Sequence, residues 1–172
     1  MTDAQAPSST VNPLSDKELT MTLLMTPDKA NFSGKVHGGA MLKMLDEVAY
    51  TCAARYSGHY AVTLSVDQVL FMRAINVGDL VTFLAMVNYT GRTSMEVGIR
   101  VVTEGVTHRT CTHAMTCYFT MIAMDEEGRP TPVPPLEPKT PIEKMRYEAA
   151  KWRRELRSEV ARRYQEIRAQ ST

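Results

Sequence analysis

The sequence predicts an α+β fold: an antiparallel sheet of about five strands wrapped on one central helix, followed by a C-terminal helix. Three observations predict it. A helix-period apolar run begins at Gly38, four runs of strand character follow it with turn residues between them, and a proline-rich stretch then separates this body from a charged helical segment. No internal repeat is visible.

Taken in order, residues 1–15 are small and polar with two prolines, a composition that cannot bury enough surface to order itself, so a disordered N-terminal arm is expected. LTMTLLM, residues 19–25, reads as a short strand, and Pro27 opens the polar loop PDKANFSGKV. From Gly38 the residues Met41, Leu42, Met44, Leu45, Val48, Ala49, Cys52 and Ala53 recur at steps of three and four, an amphipathic helix that Gly58 stops. Its broad apolar face predicts burial on most sides.

The period then becomes two. YAVTLSVDQVLFM, residues 60–72, alternates Val62, Leu64 and Val66 with Thr63, Ser65 and Asp67, and reads as one long strand. DLVTFLAMVNY, SMEVGIRVVTE and residues 108–124 follow, separated by TGRT and by a turn at Gly105, which reads as a meander. Residues 125–141 hold six of the nine prolines and read as an extended surface linker. Beyond it Ile142, Met145, Ala149, Trp152, Leu156 and Val160 form a narrow apolar seam on a charged helix that needs a surface to dock on. The expected organisation is a globular domain over 16–124, a linker over 125–141 and a basic helix over 142–169.

Composition limits the function classes. The chain has 172 residues, and residues 1–138 carry 10 basic and 14 acidic side chains against 10 and 5 in residues 139–172. The body is mildly acidic and the tail basic; the tail reads first as a solvated face on a docked helix, with nucleic acid or an acidic ligand as the alternative, and no nucleic-acid partner is expected. Cys52, Cys111 and Cys117 show no CxxC spacing, so a reducing, cytoplasmic location and inert core thiols are expected. His37, His59, His108 and His113 are too scattered to indicate a metal site. No leader and no membrane span is expected.

The chemistry centres on NFSGKVHGGAMLKMLD, residues 31–46. Asp46 is an acid in an apolar helical run; it is a surface residue beside Glu47 or a buried functional carboxylate, and its neighbours Leu45 and Val48 favour burial. Free amides at the helix start, with the positive end of the dipole, can face a developing oxyanion, which makes His37, Gly38 and Gly39 a candidate oxyanion and substrate-binding group with Gly39 N–H as donor. His37 itself reads as a cap rather than a base. Asn31 can orient a water or a carbonyl, or simply shape the loop as an Asx turn. Asp46 lies about two turns from Gly39, roughly 10 Å along the axis, too far for one compact site. An antiparallel pairing of two such helices would bring Asp46 of one subunit to Asn31 and Gly39 of the other. Thr63 and Ser65 offer hydroxyls on a strand, which orient water or merely pack.

The pattern Asn, two residues, Gly, then His-Gly-Gly followed six residues later by Leu-Asp, with GRTSMEV downstream, resembles the hotdog-fold acyl-CoA thioesterases of the bacterial cytosolic type related to mammalian cytosolic long-chain acyl-CoA hydrolases. The resemblance covers about residues 18–136. It implies hydrolysis of acyl-CoA to fatty acid and coenzyme A, with Asn31 and Asp46 acting together in a site shared between subunits and Asp46 as general base or nucleophile. It further implies that Gly91, Arg92, Thr93 and Ser94 contact coenzyme A, where the residues alone are equally a plain turn. No cofactor is expected beyond coenzyme A as part of substrate and product. A homo-oligomer, a trimer of dimers, and a regulatory nucleotide or free coenzyme A are the expected partners. The alternative is a non-catalytic hotdog protein that senses acyl-CoA or a nucleotide.

Overall fold

The structure, a computed structural model, describes residues 16–67, 69–107 and 109–170. The expected N-terminal arm and His108 lie outside the described residues. Its elements are β1 (Glu18–Leu24), a 3₁₀ turn (Pro27–Lys29), α1 (Gly38–Ser57), β2 (Tyr60–Val66), β3 (Asp79–Thr90), β4 (Ser94–Gly105), β5 (Thr110–Met124) and α2 (Pro141–Ala169). The five strands form one antiparallel sheet, and the α+β class read from the sequence is the one observed.

Helix α1 starts and stops where its sequence says. His37, in extended backbone, caps it by accepting the Gly39 N–H on its ring nitrogen, and Gly58 ends it at a φ of 72°, a left-handed conformation that a side chain would strain. Met41, Met44, Leu45, Val48, Ala49, Cys52 and Ala53 are buried against the inner sheet face, where Phe83, Val97, Ile99, Cys117 and Phe119 meet them. Leu45 and Val48 are fully buried, and truncating either to alanine would cost about 1–5 kcal/mol by lost transfer and cavity formation.

The sheet order is β1-β3-β4-β5-β2, which corrects the meander expected after α1. Only β3, β4 and β5 form one. β2 crosses to the far edge and pairs with β5, Val62 opposite Ile122 and Val66 opposite Phe119, with a register shift between Thr63 and Ser65. The long strand expected over 60–72 also ends at Val66. Asp67 still donates its N–H to Tyr118 O at 2.9 Å, but the alternation fails at Val69–Met72, four apolar residues in succession, and the chain leaves the ladder.

The proline-rich segment after β5 is tied back to the sheet rather than lying wholly outside it. Val133 N–H donates to Arg92 O, Leu136 N–H to Thr90 Oγ1, and the side chains of Val133 and Leu136 pack against the core.

Helix α2 docks on a face turned by one residue, about 100°, from the seam its pattern suggests. Met145, Trp152, Leu156 and Val160 are exposed, whereas Arg146, Ala150, Arg153 and Arg157, at helical spacing, face the sheet. The reason is Glu96 on the outer sheet face, 2% exposed, which accepts two hydrogen bonds from Arg153 at 2.6 and 3.2 Å. The Arg153 guanidinium also lies 3.6 Å over the Tyr118 ring. A buried carboxylate left without a partner would be far costlier than an exposed apolar stripe, so the arginine face turns inward.

Candidate active site

The loop before α1 is organised by Asn31. Its side-chain Oδ1 accepts hydrogen bonds from the N–H of Ser33 at 2.9 Å, the Ser33 hydroxyl at 2.8 Å and the N–H of Lys35 at 3.1 Å. That is the Asx-type loop use of asparagine. It leaves the side-chain Nδ2, with two protons, without a partner among the described residues. Phe32, beside it, is fully exposed.

At the helix start the Gly39 N–H donates to His37 Nδ1 at 2.8 Å. The amide expected to serve an oxyanion is thus already engaged by an imidazole within its own chain. Gly38 is close to the Phe71 ring: a Cβ on Gly38 would lie 3.5 Å from Phe71 Cζ, so the two glycines keep the backbone reachable under an aromatic edge.

Asp46 departs from the burial expected for it. It points outward from α1, with exposed Leu42 one turn before and exposed Tyr50 one turn after on the same face. Leu45 and Val48 flank it in sequence yet point to the core, because successive helical residues turn by about 100°. The carboxylate is held from β2: the Thr63 hydroxyl donates to Asp46 Oδ1 at 2.5 Å. From the sequence Thr63 is a strand hydroxyl that orients water or merely packs, and no local signal ties it to Asp46, since the contact bridges 17 residues between two elements.

Not all the candidate residues come together in one chain. No hydrogen bond among the described residues joins Asn31 to Asp46. The hairpin Gly91–Ser94 lies at the far end of β5, where Thr93 O accepts the Ala123 N–H, while the Phe71–Met72 segment beside the helix start meets β5 at Ala114. Nine strand residues separate those two levels, about 30 Å. The hairpin itself is tight. Gly91 N–H donates to Ser94 O, and a Cβ at position 91 would stand 2.7 Å from Ser94 Oγ, so a side chain there would make the Ser94 hydroxyl turn aside. The exposed side chain of Arg92 remains its available charge.

A cavity of about 440 Å³ lies elsewhere, between α2 and the outer sheet face beside Arg100, Arg146 and Met86, and includes none of these residues. Around Asp46 the single chain instead presents open surface: exposed Leu42 and Tyr50 form an apolar rim on its own face of α1, and Leu64, Val66, Leu70, Phe71 and Met72 are exposed on and after β2, the strand that carries Thr63. Exposed apolar side chains in such number mark an interaction surface.

The thiols fall into two kinds. Burial pushes Cys52 and Cys117 up to about 12, so neither ionises in ordinary conditions. Cys111 is exposed, which corrects the expectation that all three are core thiols. Among the described residues no group of three or more His, Cys, Asp and Glu side chains could hold a metal, and no helix is long and apolar enough to cross a membrane.

Known proteins share this arrangement. A thioesterase superfamily model matches residues 33–108, from the loop before α1 through β4. Protein VdlD of Helicobacter pylori is 50% identical over 149 residues, 87% of this chain and 85% of that one. An apo-hexameric acyl-CoA thioesterase superposes with a TM-score of 0.81 at 38% identity over 84% of this chain and 92% of its own. The acyl-CoA hydrolase of Staphylococcus aureus, solved with butyryl coenzyme A, coenzyme A and coenzyme A disulfide, superposes with a TM-score of 0.80 at 31% identity over 90% and 95%. That protein has also been solved with an asparagine, an aspartate and a threonine each replaced by alanine, and those three positions are separated by 15 and 17 residues. Asn31, Asp46 and Thr63 have the same separations here. With helix, sheet order and half-open acid in place, the extent and level of these identities leave one assignment: the chain is a member of the hotdog thioesterase superfamily.

Proposed function

We propose that this protein hydrolyses acyl-CoA thioesters to a carboxylic acid and free coenzyme A. The observation that carries the reading is the Asp46–Thr63 pair, an outward-facing carboxylate fixed by a hydroxyl beside an apolar rim. The coenzyme A complexes of the Staphylococcus aureus hydrolase support the substrate class.

In this reading Asp46 accepts a proton from a water as its oxygen attacks the thioester carbonyl carbon. Asn31 Nδ2 orients that water or the carbonyl, and amides of the helix start receive the oxyanion. Collapse of the tetrahedral species breaks the carbon–sulfur bond, and the proton held by Asp46 neutralises the departing thiolate. Direct attack by Asp46 would instead give an acyl anhydride, which water then cleaves; incorporation of ¹⁸O from labelled solvent into the carboxylate of Asp46 in a single turnover distinguishes the two. His37 keeps the Gly39 amide satisfied until a carbonyl oxygen takes its place.

The site is completed by a second copy. Asn31 and Asp46 sit apart in one chain, the hairpin is remote from the helix start, and the face carrying Leu42, Asp46 and Tyr50 is uncovered. Antiparallel pairing of α1 with its counterpart would cover that face and bring the acid to the partner's loop and helix start, with Arg92 placed to meet coenzyme A phosphates. The hexameric thioesterase relative supports assembly into an oligomer, and a trimer of dimers would contain this pairing.

The test is steady-state hydrolysis of acyl-CoA from short to long chains by wild type, Asp46→Ala and Asn31→Ala, with oligomer size followed by sedimentation. Turnover lost in both variants with assembly retained supports the shared site. Binding of acyl-CoA by the wild type without turnover would replace this reading by a sensor.

A further inference from the structure

The buried charge cluster beneath α2 plays no part in the chemistry above, yet it ends on the strand that carries Thr63. Arg157 Nη1 lies 3.7 Å from Glu96 Oε2 and 2.5 Å from Asp67 Oδ2, so one guanidinium bridges the outer sheet face and the residue immediately after β2. The Asp67 side chain is 17% exposed and that of Arg157 26%. Burial pushes the Asp67 carboxyl up, and Arg157 beside it opposes that shift. Without α2 in place this carboxylate would be half-buried and unpaired, and would turn toward water.

β2 is an edge strand whose ladder with β5 is interrupted between Thr63 and Ser65 and resumes through Ser65, Val66 and the Asp67 N–H on Tyr118 O, so the Arg157 bridge adds a side-chain tie on the far side of the interruption from Thr63.

From Asp67 two routes lead to the candidate site. Backward, four residues along β2, stands Thr63 with its hydroxyl on Asp46. Forward, Met72 N–H donates to Ala114 O, Phe71 lies against Gly38, Ile75 O accepts the Val36 N–H at 2.9 Å, and Asn76 Oδ1 accepts from Lys35 Nζ at 2.6 Å. The segment 69–76 therefore leans on both the helix start and the loop that Asn31 organises.

We propose that Arg157 is a positioning residue: through Asp67 it pins the junction between β2 and the segment 69–76, so that docking of α2 aligns Thr63 with Asp46 and Phe71 with the start of α1. The inference rests on the reading of Asp46 and the helix start as the reacting site. It gives α2 a task other than covering the sheet.

Two variants of the full chain test it. Arg157→Ala removes the bridge, and Asp67→Asn keeps the shape while removing the charge. Both are measured for kcat and KM and for amide hydrogen exchange by mass spectrometry. Misalignment predicts a fall in kcat of about tenfold or more with a smaller change in KM, and recovery of most of it by Arg157→Lys. It also predicts faster exchange confined to 62–66 and 69–76, with β3 and β4 protected as in the wild type. Unchanged kcat, or exchange that rises uniformly across the sheet, overturns the proposal, since a helix that merely covers the sheet would give one of these results. If the wild type hydrolyses no acyl-CoA, the function proposed above fails by itself. The exchange pattern then decides the positioning claim alone: local loosening sustains it, and none or a uniform rise removes it.

Discussion

The Thr63 hydroxyl reaches across 2.5 Å to Asp46 Oδ1 and so joins the outward face of α1 to the edge strand β2. One carboxylate oxygen is spoken for, and the other is left to act. The donated hydrogen bond fixes the direction in which the free oxygen points. Asp46→Asn should therefore lower kcat by about 10²–10⁴. Thr63→Val, which keeps the volume but not the hydroxyl, should lower it less, and Thr63→Ser should retain most of it. Full activity in Asp46→Asn would end the assignment of this acid to the chemistry.

Asn31 has two separable tasks. Its Oδ1 holds three donors of the loop, and its Nδ2 is unengaged. Asn31→Asp keeps the acceptor and loses the donor, so the loop should stay folded while kcat falls. Asn31→Ala removes both and should also raise local exchange at residues 33–35. If the aspartate variant matched the wild type in kcat, asparagine would be no more than a loop former.

The thiols should divide one against two. Under native conditions at pH 8 a chromogenic thiol reagent should titrate Cys111 and leave Cys52 and Cys117 unmodified, and denaturation should release all three. Blocking Cys111 should leave hydrolysis unchanged, since no candidate residue touches it. A folded value raised to about 12 means that the native state holds these two protons more tightly than the unfolded chain does. The corresponding stabilisation is complete below about pH 8.5 and is lost as pH rises towards 12. Unfolding midpoints measured between pH 8 and pH 11 should fall accordingly, and less so in Cys52→Ser.

Removing Arg153 should be among the more damaging changes outside the candidate site. It would leave Glu96, 2% exposed, without its two guanidinium bonds, a loss of about 3–5 kcal/mol. A double change, Arg153→Met with Glu96→Leu, should regain a large part of that stability. Denaturant unfolding of the single and double variants would check it. Equal instability in both would mean that packing of the Arg153 stem, rather than its charge, holds α2.

Much of this fold was legible because its signals are local. The helix from Gly38 to Gly58 follows from apolar spacing, a histidine cap and a left-handed glycine, each readable within a few residues. The strands from Asp79 to Met124 follow from period two and short turns. The partner of β2 was not legible, since pairing with β5 rather than β3 is decided by contacts some 58 residues away. The face that α2 turns to its own sheet was not legible for a related reason. Its apolar seam is the stronger pattern, but a single buried glutamate on a distant strand outweighs it. In the candidate site, Asn31, His37 and Asp46 drew notice as unusual residues in their settings. Asp46 is exposed in the single chain because it shares the face of α1 with Leu42 and Tyr50, which turns away from the buried core.

The edge position of β2 also fixes the order in which this molecule can be finished. As the chain emerges from the ribosome, α1 can form from its own residues, but Thr63 must wait 58 residues for Met121 of its partner strand, and Asp67 must wait 90 for Arg157. During that interval Leu64 and Val66 belong to an unpaired strand beside an acid that nothing yet aims. The candidate reacting centre is encoded within the first 63 residues, yet on the positioning role proposed for Arg157 its alignment waits for the last helix, so a chain halted before Arg157 should have its full sheet and the reduced kcat expected of Arg157→Ala.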